Sequence, residues 1–594
     1  MNYKTYKDTH SDYTALQQIL YNRGIEIGDQ ERWLTAGWED VHGPWCLGKN
    51  LKDGVEMLYQ AYTQNKNMAI LCDEDPDGAT STAIAYNFLN YLDHSYAEKY
   101  IDIIFHQSRC HGLKDIDLEK LATYDIVWIP DAASNDYDEL EYLIEHNTQV
   151  IITDHHLAPY TMNIQDKIYT FNNQVGLRGE CRYPNRDFSG AGMTWQLCRG
   201  LELLVHNCTT FCDNNLLDLC AIGLLSDMMD YHNLEIRAIV YMGLSNLKNK
   251  FLVQLAKINQ YTIDKRNGLN YLSAAFGITP FINCCFRSAT YEEKLLVINA
   301  MFDINADAMV PSTKRGEKGL EVPIWQEACT VAQRVKRRQT KLQDEADAKF
   351  AARIEEEHLL DNAILLLLCE PGEVDKNLAG LLANRYQTKY QRPCAILTRC
   401  EDNGKEYYRG SMRNYSLSER TNLKADLEAT GQIEWCQGHE NSAGLSIPVD
   451  NIDVFLKNFN ELYKDVKQEP VYWVDYIWSM EESDPQKIID MGGFDIYGQG
   501  LPESIIAVHD IDLDKCNLQL MGLDKDRPTL KITLPNGISC IKFGSSQKEF
   551  DKFNSGNMLA TIVGKPQKNE WMGNISAQII IEDFELKDDE EWVF

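Results

Sequence analysis

The most constraining feature of this chain is a short apolar run that empties into acid. Met68-Ala69-Ile70-Leu71 leads through Cys72 into Asp73-Glu74-Asp75-Pro76-Asp77-Gly78, and the pattern of Ala79 to Leu92 predicts a helix. The unit recurs. Ile101 to Phe105 reads as a strand, Tyr124 to Pro130 as another that ends in Asp131, Glu139 to His146 as a helix, and Gln149 to Thr153 as a strand that ends in Asp154-His155-His156. Strands alternating with helices require a parallel α/β sheet, and such sheets gather ligands at the carboxyl ends of their strands. In an extended segment Asp73, Asp75 and Asp77 share one face. Carboxylates so close repel unless a cation sits among them or some take up protons, and hard oxygen donors suit Mg²⁺ or Mn²⁺. Taken alone, the triplet fits a cation site or a solvated acidic loop; its convergence with Asp131 and Asp-His-His favours the cation.

The remainder sorts into further parts. Residues 1–65 read as a helical segment packing on the α/β domain of 66–235. Within that domain Ser189-Gly190-Ala191-Gly192 opens a helix from Met193 to Leu204, and Leu216 to Leu225 is a helix followed by Asp227. The glycines suit close backbone approach, a turn or a phosphate. Residues 236–360 are helical and end in a charged helix from Ile324 through Glu357, a connector between domains. Its Arg334, Lys336, Arg337, Arg338 and Lys341 fit a solvated face or a phosphate backbone. Residues 361–468 form a smaller α/β domain, with strands Ala363 to Cys369 and Cys394 to Leu397 and a helix Leu378 to Tyr390. Strands near 515–521, 529–534, 538–543, 559–563 and 575–581 predict an all-β barrel within 469–594.

At 594 residues the chain is too long for one core. Its net charge of −31 excludes a broad basic face that coats nucleic acid, although a narrow basic groove stays compatible. Seventeen scattered cysteines and a start, Met1-Asn2-Tyr3-Lys4, without an apolar signal region point to reduced thiols and a cytoplasmic location. Cys208, Cys212 and Cys220 lack a fourth ligand and read as buried thiols. The longest apolar run, Ala363 to Cys369, is too short to span a bilayer.

Assembled, these stretches resemble the DHH phosphoesterase superfamily, and within it the RecJ-type single-strand DNA exonucleases. Asp73 to Ser81 resembles the first motif, Asp131 sits at the second, Asp154-His155-His156 is the third and Asp227 matches the fourth. Thr279 to Arg287 resembles the Pro-Arg-Ile-Asn-Ala-Ala-Gly-Arg segment, Gly410 to Arg413 the Gly-Ser-x-Arg motif, and Gln437-Gly438-His439 the Gly-Gly-His motif of the DHH-associated domain. Gly498 to Glu503 and Asn569 to Gly573 are similar to parts of the RecJ OB-fold domain. Gln437, Phe281 and Phe286 depart from the family pattern, which suits a divergent, phage- or prophage-encoded member.

The resemblance implies a two-metal 5′-to-3′ exonuclease that releases 5′-mononucleotides from single-stranded DNA in repair, recombination or replication. Two Mn²⁺ or Mg²⁺ ions are implied, one on Asp73, Asp75 and Asp131, the other on Asp77, Asp131, His155 and Asp227, with Asp131 bridging. His156 would face the scissile phosphate and Asp154 would fix a histidine tautomer. Arg109, His111, Arg287, Ser411, Arg413, Gly438 and His439 are the implied phosphate contacts, and the charged ones fit surface ion pairs as well. Trp571 fits a base-stacking platform or core packing. A monomer assisted by a helicase and a single-strand-binding protein is expected, with no membrane partner. A DHH phosphodiesterase of short oligoribonucleotides or cyclic dinucleotides, or an inactive single-strand-binding replication scaffold, are the other classes.

Overall fold

The computed structural model describes residues 1–106, 111–175, 183–467, 469–522 and 527–588. The chain divides into two compact units: Ile25–Arg337 with Asp495–Pro502, and Met1–Gly24 with Arg338–Phe494 and Glu503–Phe594.

The first unit is built on a five-stranded sheet in the order Ile101–Phe105, Met68–Cys72, Ile126–Pro130, Gln149–Asp154, Ile168–Asn172. All its pairings are parallel. The strand Met68–Cys72 lies between the next two strands in the chain, so successive connections leave it in opposite directions. That reversal is the switch point at which an open α/β sheet forms a crevice. Alternation along the strands supplies two apolar faces. Ala69, Leu71, Val127, Ile129, Val150 and Ile152 pack with Leu140, Leu143 and Ile144 of the helix Tyr137–Glu145. Trp128 belongs to the opposite set: its indole donates to Thr153 Oγ1 at 3.2 Å, and that hydroxyl lies 2.7 Å from Thr194 Oγ1 on the helix Gly190–His206. This buried polar link ties the strand ending in Asp154 to that helix.

In the second unit a five-stranded sheet runs Trp435–His439, Ser442–Pro448, Lys405–Arg413, Cys394–Asp402, Leu365–Cys369. Leu365, Leu367 and Ile396 pack with Leu378, Leu382 and Tyr386 on one face, and Leu366, Ala395 and Leu397 with Phe455 and Phe459 on the other. A seven-stranded sheet follows in the order Tyr476–Ser479, Ile506–Asp512, Met558–Trp571, Asn574–Asp588, Ser539–Phe543, Thr529–Thr533, Asn517–Met521. It is mixed: Tyr476–Ser479 with Ile506–Asp512, and Ser539–Phe543 with Asn574–Asp588, are parallel.

One expectation needs correction. Residues 1–65 are not a single helical segment on the α/β domain. Asn2–Thr5 is a strand paired in parallel with Val471–Val474, and Met1–Gly24 clusters with the second unit. A buried ion pair holds it there: Arg23 Nη1 and Nη2 lie 2.6 and 3.0 Å from the two oxygens of Asp475, and Asn22 Nδ2 donates to Oδ1 at 2.9 Å. The helix expected from Ile324 to Glu357 runs Ile324–Glu356. Among the described residues no helix is long and apolar enough to cross a membrane.

Candidate metal centre

Each carboxylate of the site arrives from a defined point in the fold. Asp73 leaves the strand Met68–Cys72. Asp75 is the N-cap of the helix Pro76–Leu92: its Oδ1 accepts from the backbone of Asp77 and Gly78, both at 3.0 Å, and Pro76 takes the first helical position, where no amide hydrogen is needed. Asp77 therefore sits in the first helical turn rather than on an extension of the strand, and the helix, not alternation, sets its direction. Three donors from the start of Gly190–His206 hold its carboxylate: Ser189 Oγ at 2.8 Å, Gly190 N at 2.8 Å and Ala191 N at 3.2 Å. The helix N-terminus thus receives a protein carboxylate, and the glycines serve close approach. A Cβ on Gly190 would lie 2.4 Å from Asp131 Oδ1, and one on Gly223 would lie 2.5 Å from Asp77 Oδ1. Gly78 has no positive φ; a Cβ there would lie 2.6 Å from Asp73 Cβ. Asp131 follows the strand Ile126–Pro130 in a left-handed conformation, φ 66, its N–H bonded to Thr153 O at 2.7 Å.

Donor atoms of Asp73, Asp75 and Asp131 lie within 4.8 Å of one another, as do those of Asp77, His155 and Asp227, and those of Asp131, His155 and His156. His155 Nε2 is 3.3 Å from Asp131 Oδ1, 3.3 Å from Asp227 Oδ2 and 4.0 Å from Asp77 Oδ2. Asp154 stands behind this set. Its Oδ1 accepts from His155 N at 2.7 Å, His156 N at 3.1 Å and His156 Nδ1 at 2.8 Å, and its Oδ2 from Ser134 N at 3.1 Å.

The electrostatics divide the carboxylates in two. Burial, then the Asp75 charge, pushes Asp77 up to about 6. Burial and the surrounding carboxylates push Asp131 and Asp227 well above their usual range. Asp73 and Asp154 are held low instead: burial opposes their ionisation, but the charge of His111 on Asp73, and of His156 on Asp154, outweighs it. Burial would lower His111, yet Asp73 raises it to about 9. Asp131 Oδ1 is buried and accepts no hydrogen bond. An oxygen-rich set with one imidazole, whose central members ionise only against mutual repulsion and whose shared member has an unsatisfied oxygen, fits divalent cations of the Mg²⁺ and Mn²⁺ kind.

Sequence reasoning missed several members. His106, directly after the strand Ile101–Phe105, places Nε2 3.2 Å from Asp73 Oδ1 and Nδ1 2.6 Å from Asp115. The strand-end rule that singled out Asp131 reaches it too. Asn172, at the end of Ile168–Asn172, donates to His156 O at 2.8 Å and Ser134 Oγ at 2.9 Å. Lys294 pairs with Glu74 between the ligand aspartates; its helix is remote in sequence and carries no signal for this.

Of the implied phosphate contacts, His111 Nδ1 lies 2.9 Å from Asp73 Oδ2, its ring edge-on to His156. Arg109 lies outside the described residues. Arg287 is on the helix Thr279–Ser288, where Thr279 Oγ1, Asn283 Oδ1 and Arg287 Nε are buried without hydrogen-bond partners, four residues apart and so on one face. Ser411, Arg413, Gly438 and His439 belong to the second unit. Arg413 and His439 are both in register with Ser442, and the side chains of Ser411 and Arg413 crowd the place where Gly380 lacks a Cβ. Gly438 has φ 128, and a Cβ there would meet Ala443 Cα at 2.9 Å. Trp571 is 71% exposed at the turn between the two longest strands, which removes the core-packing reading. Cys212 and Cys220 are buried thiols pushed up by burial.

The fold and site define a metal-binding α/β protein of the DHH type, and three family models match in order. The DHH family N-terminal domain covers residues 67–224, the DHHA1 domain 362–465 and the RecJ OB domain 474–583. Together the three matches give the series DHH, DHHA1 and RecJ OB along this one chain. It is 28% identical over 597 residues to a protein of Bacillus subtilis (strain 168) named as an SPbeta prophage-derived single-strand DNA-specific exonuclease, YorK, covering 99% of this chain and 98% of that one. To the single-stranded-DNA-specific exonuclease RecJ of the same organism it is 23% identical, over 95% of this chain and 67% of the relative. The fold matches that of RecJ from Thermus thermophilus, solved with Mn²⁺, at a TM-score of 0.67 and 17% identity, over 96% of this chain and 76% of that one.

Proposed function

We propose that the chain is a metal-dependent exonuclease that hydrolyses single-stranded DNA from its 5′ end to 5′-mononucleotides. The observation that carries this reading is that Asp131, a member of the Asp73–Asp75 cluster, also lies 3.3 Å from His155 Nε2, the imidazole of the Asp77–Asp227 cluster, at the sheet's switch point. Asp73, Asp75 and Asp131 would hold one divalent ion, and Asp77, Asp131, His155 and Asp227 a second. Bound there, such ions supply a nucleophile at neutral pH and offset the charge that develops on the phosphate. The chain's own groups position the reactants. Asp154 accepts the Nδ1 proton of His156, which leaves Nε2 to face the scissile phosphate and favours the cationic ring. His106 and His111 hold both oxygens of Asp73. Arg287, Ser411, Arg413, Gly438 and His439 are assigned to the strand's phosphates, with Arg109 included by its motif, and exposed Trp571 to a base.

The match to the RecJ OB domain favours DNA over a short oligoribonucleotide or cyclic dinucleotide. The complete donor set argues against an inactive scaffold. Action as a monomer in the cytoplasm, with a helicase and a single-strand-binding protein as helpers, completes this reading. The test uses 5′- and 3′-labelled single-stranded DNA, duplex DNA and short RNA with Mn²⁺, Mg²⁺ or EDTA, alongside Asp131→Ala. Metal-dependent release of mononucleotides from single-stranded DNA by the natural chain alone is expected. Degradation of no substrate with either metal, or cleavage retained by the variant, overturns the reading.

A further inference from the structure

The turn that carries Asp227 is gripped from two sides by residues with no assigned role. Asp227 caps the helix Leu217–Ser226, Met228 is left-handed at φ 57, and the next helix, Leu234–Ser245, begins after Asn233. Between the helices, the amide of Asp230 donates to the Asp187 carboxylate. The stretch around Asp187 is zipped to the far end of the same turn: Asn185 Nδ2 donates to Glu235 Oε2 at 3.0 Å, and Asn233 Nδ2 donates to Asn185 Oδ1 at 2.9 Å. Two residues beyond Asp187 begin the Ser189, Gly190 and Ala191 donors that hold Asp77. One short segment, 185–191, therefore binds the turn bearing Asp227 through its first half and the carboxylate of Asp77 through its second.

The other side of the turn is closed by Asp495–Pro502, which is remote in sequence yet part of the same compact unit. It folds into a tight turn through paired Gly498–Leu501 backbone bonds, and Gln499 O accepts from Tyr231 N at 3.0 Å. Its glycines are closely fitted. A Cβ on Gly498 would lie 2.6 Å from Tyr231 Cδ1, and one on Gly500, at φ +80, would lie 2.5 Å from Asp230 Oδ1 and 2.6 Å from His232 Nδ1.

We propose that Asp187 and the 495–502 strap are positioning elements that fix the spacing of Asp227 against Asp77, and hence the affinity of the cation site those two aspartates share with His155. This rests on the two-ion reading above and adds to it the residues that tune one of the two sites. The contacts that Asp187 and the strap make with the turn bearing Asp227 put the larger effect on that one ion. Groups that orient ligands from behind commonly set about 10- to 100-fold in metal affinity.

Mn²⁺ binding to the full chain by isothermal titration, with circular dichroism of each protein, tests this. The natural chain binds two equivalents. Asp187→Ala and Gly500→Ala weaken one of them at least about tenfold and leave the other in place, while Asp187→Asn, which keeps a carbonyl acceptor for the Asp230 amide, stays within about threefold of the natural chain. Excess Mn²⁺ restores cleavage by both alanine variants. If the natural chain binds two ions and both alanine variants bind them unchanged, the positioning role is wrong. Equal weakening of both ions in folded variants refutes it too, as does Asp187→Asn behaving like Asp187→Ala. Failure of the natural chain to bind Mn²⁺ overturns the two-ion reading instead. Should Gly500→Ala not fold, the Asp187 pair decides alone.

Discussion

Adding one methyl group at Gly190 should disable the site without removing any donor atom. The Cβ of Gly190→Ala would fall 2.4 Å from Asp131 Oδ1, 2.5 Å from its Cβ and 2.7 Å from its Cα. Ordinary carbon contacts begin at about 3.4 Å, so the first turn of Gly190–His206 and Asp131 must separate by about 1 Å. Neither can yield easily: Gly190 N is bonded to Asp77, and Asp131, already left-handed, is pinned by its N–H to Thr153 O. Overpacking of this kind costs about 1–3 kcal/mol of stability, and an error of about 1 Å in a catalytic array costs about 100-fold in rate. The assay pairs urea unfolding with release of labelled mononucleotides under saturating Mn²⁺. Gly28→Ala serves as the control: Gly28 lies on the exposed face of Ile27–Leu34, and a methyl added there would have nothing within 4 Å, so stability should hold or rise by about 0.5–1 kcal/mol with cleavage unchanged. Full cleavage by Gly190→Ala, with stability intact, would refute the claim that these glycines exist to let helix and carboxylates approach.

Protons and Mn²⁺ should compete at Asp77: affinity falls as pH drops below about 6, and titration in buffers of differing ionisation heat shows proton release at about pH 6. Because the folded value of Asp77 lies above the unfolded one, its contribution to the metal-free fold is present below about pH 4 and lost as pH rises through about 6, so added Mn²⁺ should raise the melting temperature more at about pH 8 than at about pH 5. Asp475→Ala removes the carboxylate that pairs a buried guanidinium and should cost about 3–5 kcal/mol in denaturant unfolding; a change under about 1 kcal/mol would show the Arg23 pair to be dispensable. Trp571→Ala should leave stability unchanged and weaken single-strand binding, measured by anisotropy with EDTA, by roughly 1–3 kcal/mol, and equal affinity would remove it from the interface.

The strand ends were legible because a buried parallel strand must be apolar and then stop, so the residue that follows, Asp73, Asp131 or Asp154, is marked by the contrast. What the contrast cannot convey is direction. Asp77 looked like a third step along an extended chain, but Pro76 and the N-cap of Asp75 start the helix before it. Glycine is ambiguous for a related reason: Gly78, Gly190 and Gly223 all stand where a Cβ would strike a site carboxylate or its backbone, a fact written in the partner and not in the glycine. The strands Lys405–Arg413 and Trp435–His439 carry charged and exposed residues and show little of the alternation that betrays a half-buried strand. Asn2–Thr5 is four residues long and finds its partner only at Val471, beyond the reach of any local pattern.

That last pairing sets an order of events during synthesis. Met1–Gly24 leave the ribosome before every residue of the other unit, yet their hydrogen-bonding partner strand and Asp475 follow about 450 residues later. At about 5–20 residues per second the wait is roughly 25–90 s, long enough for the parallel sheet of residues 68–172 to form first. Throughout that interval Asn2–Thr5 is without its partner strand, and its short length and Lys4 guard it against pairing elsewhere until the late segments emerge.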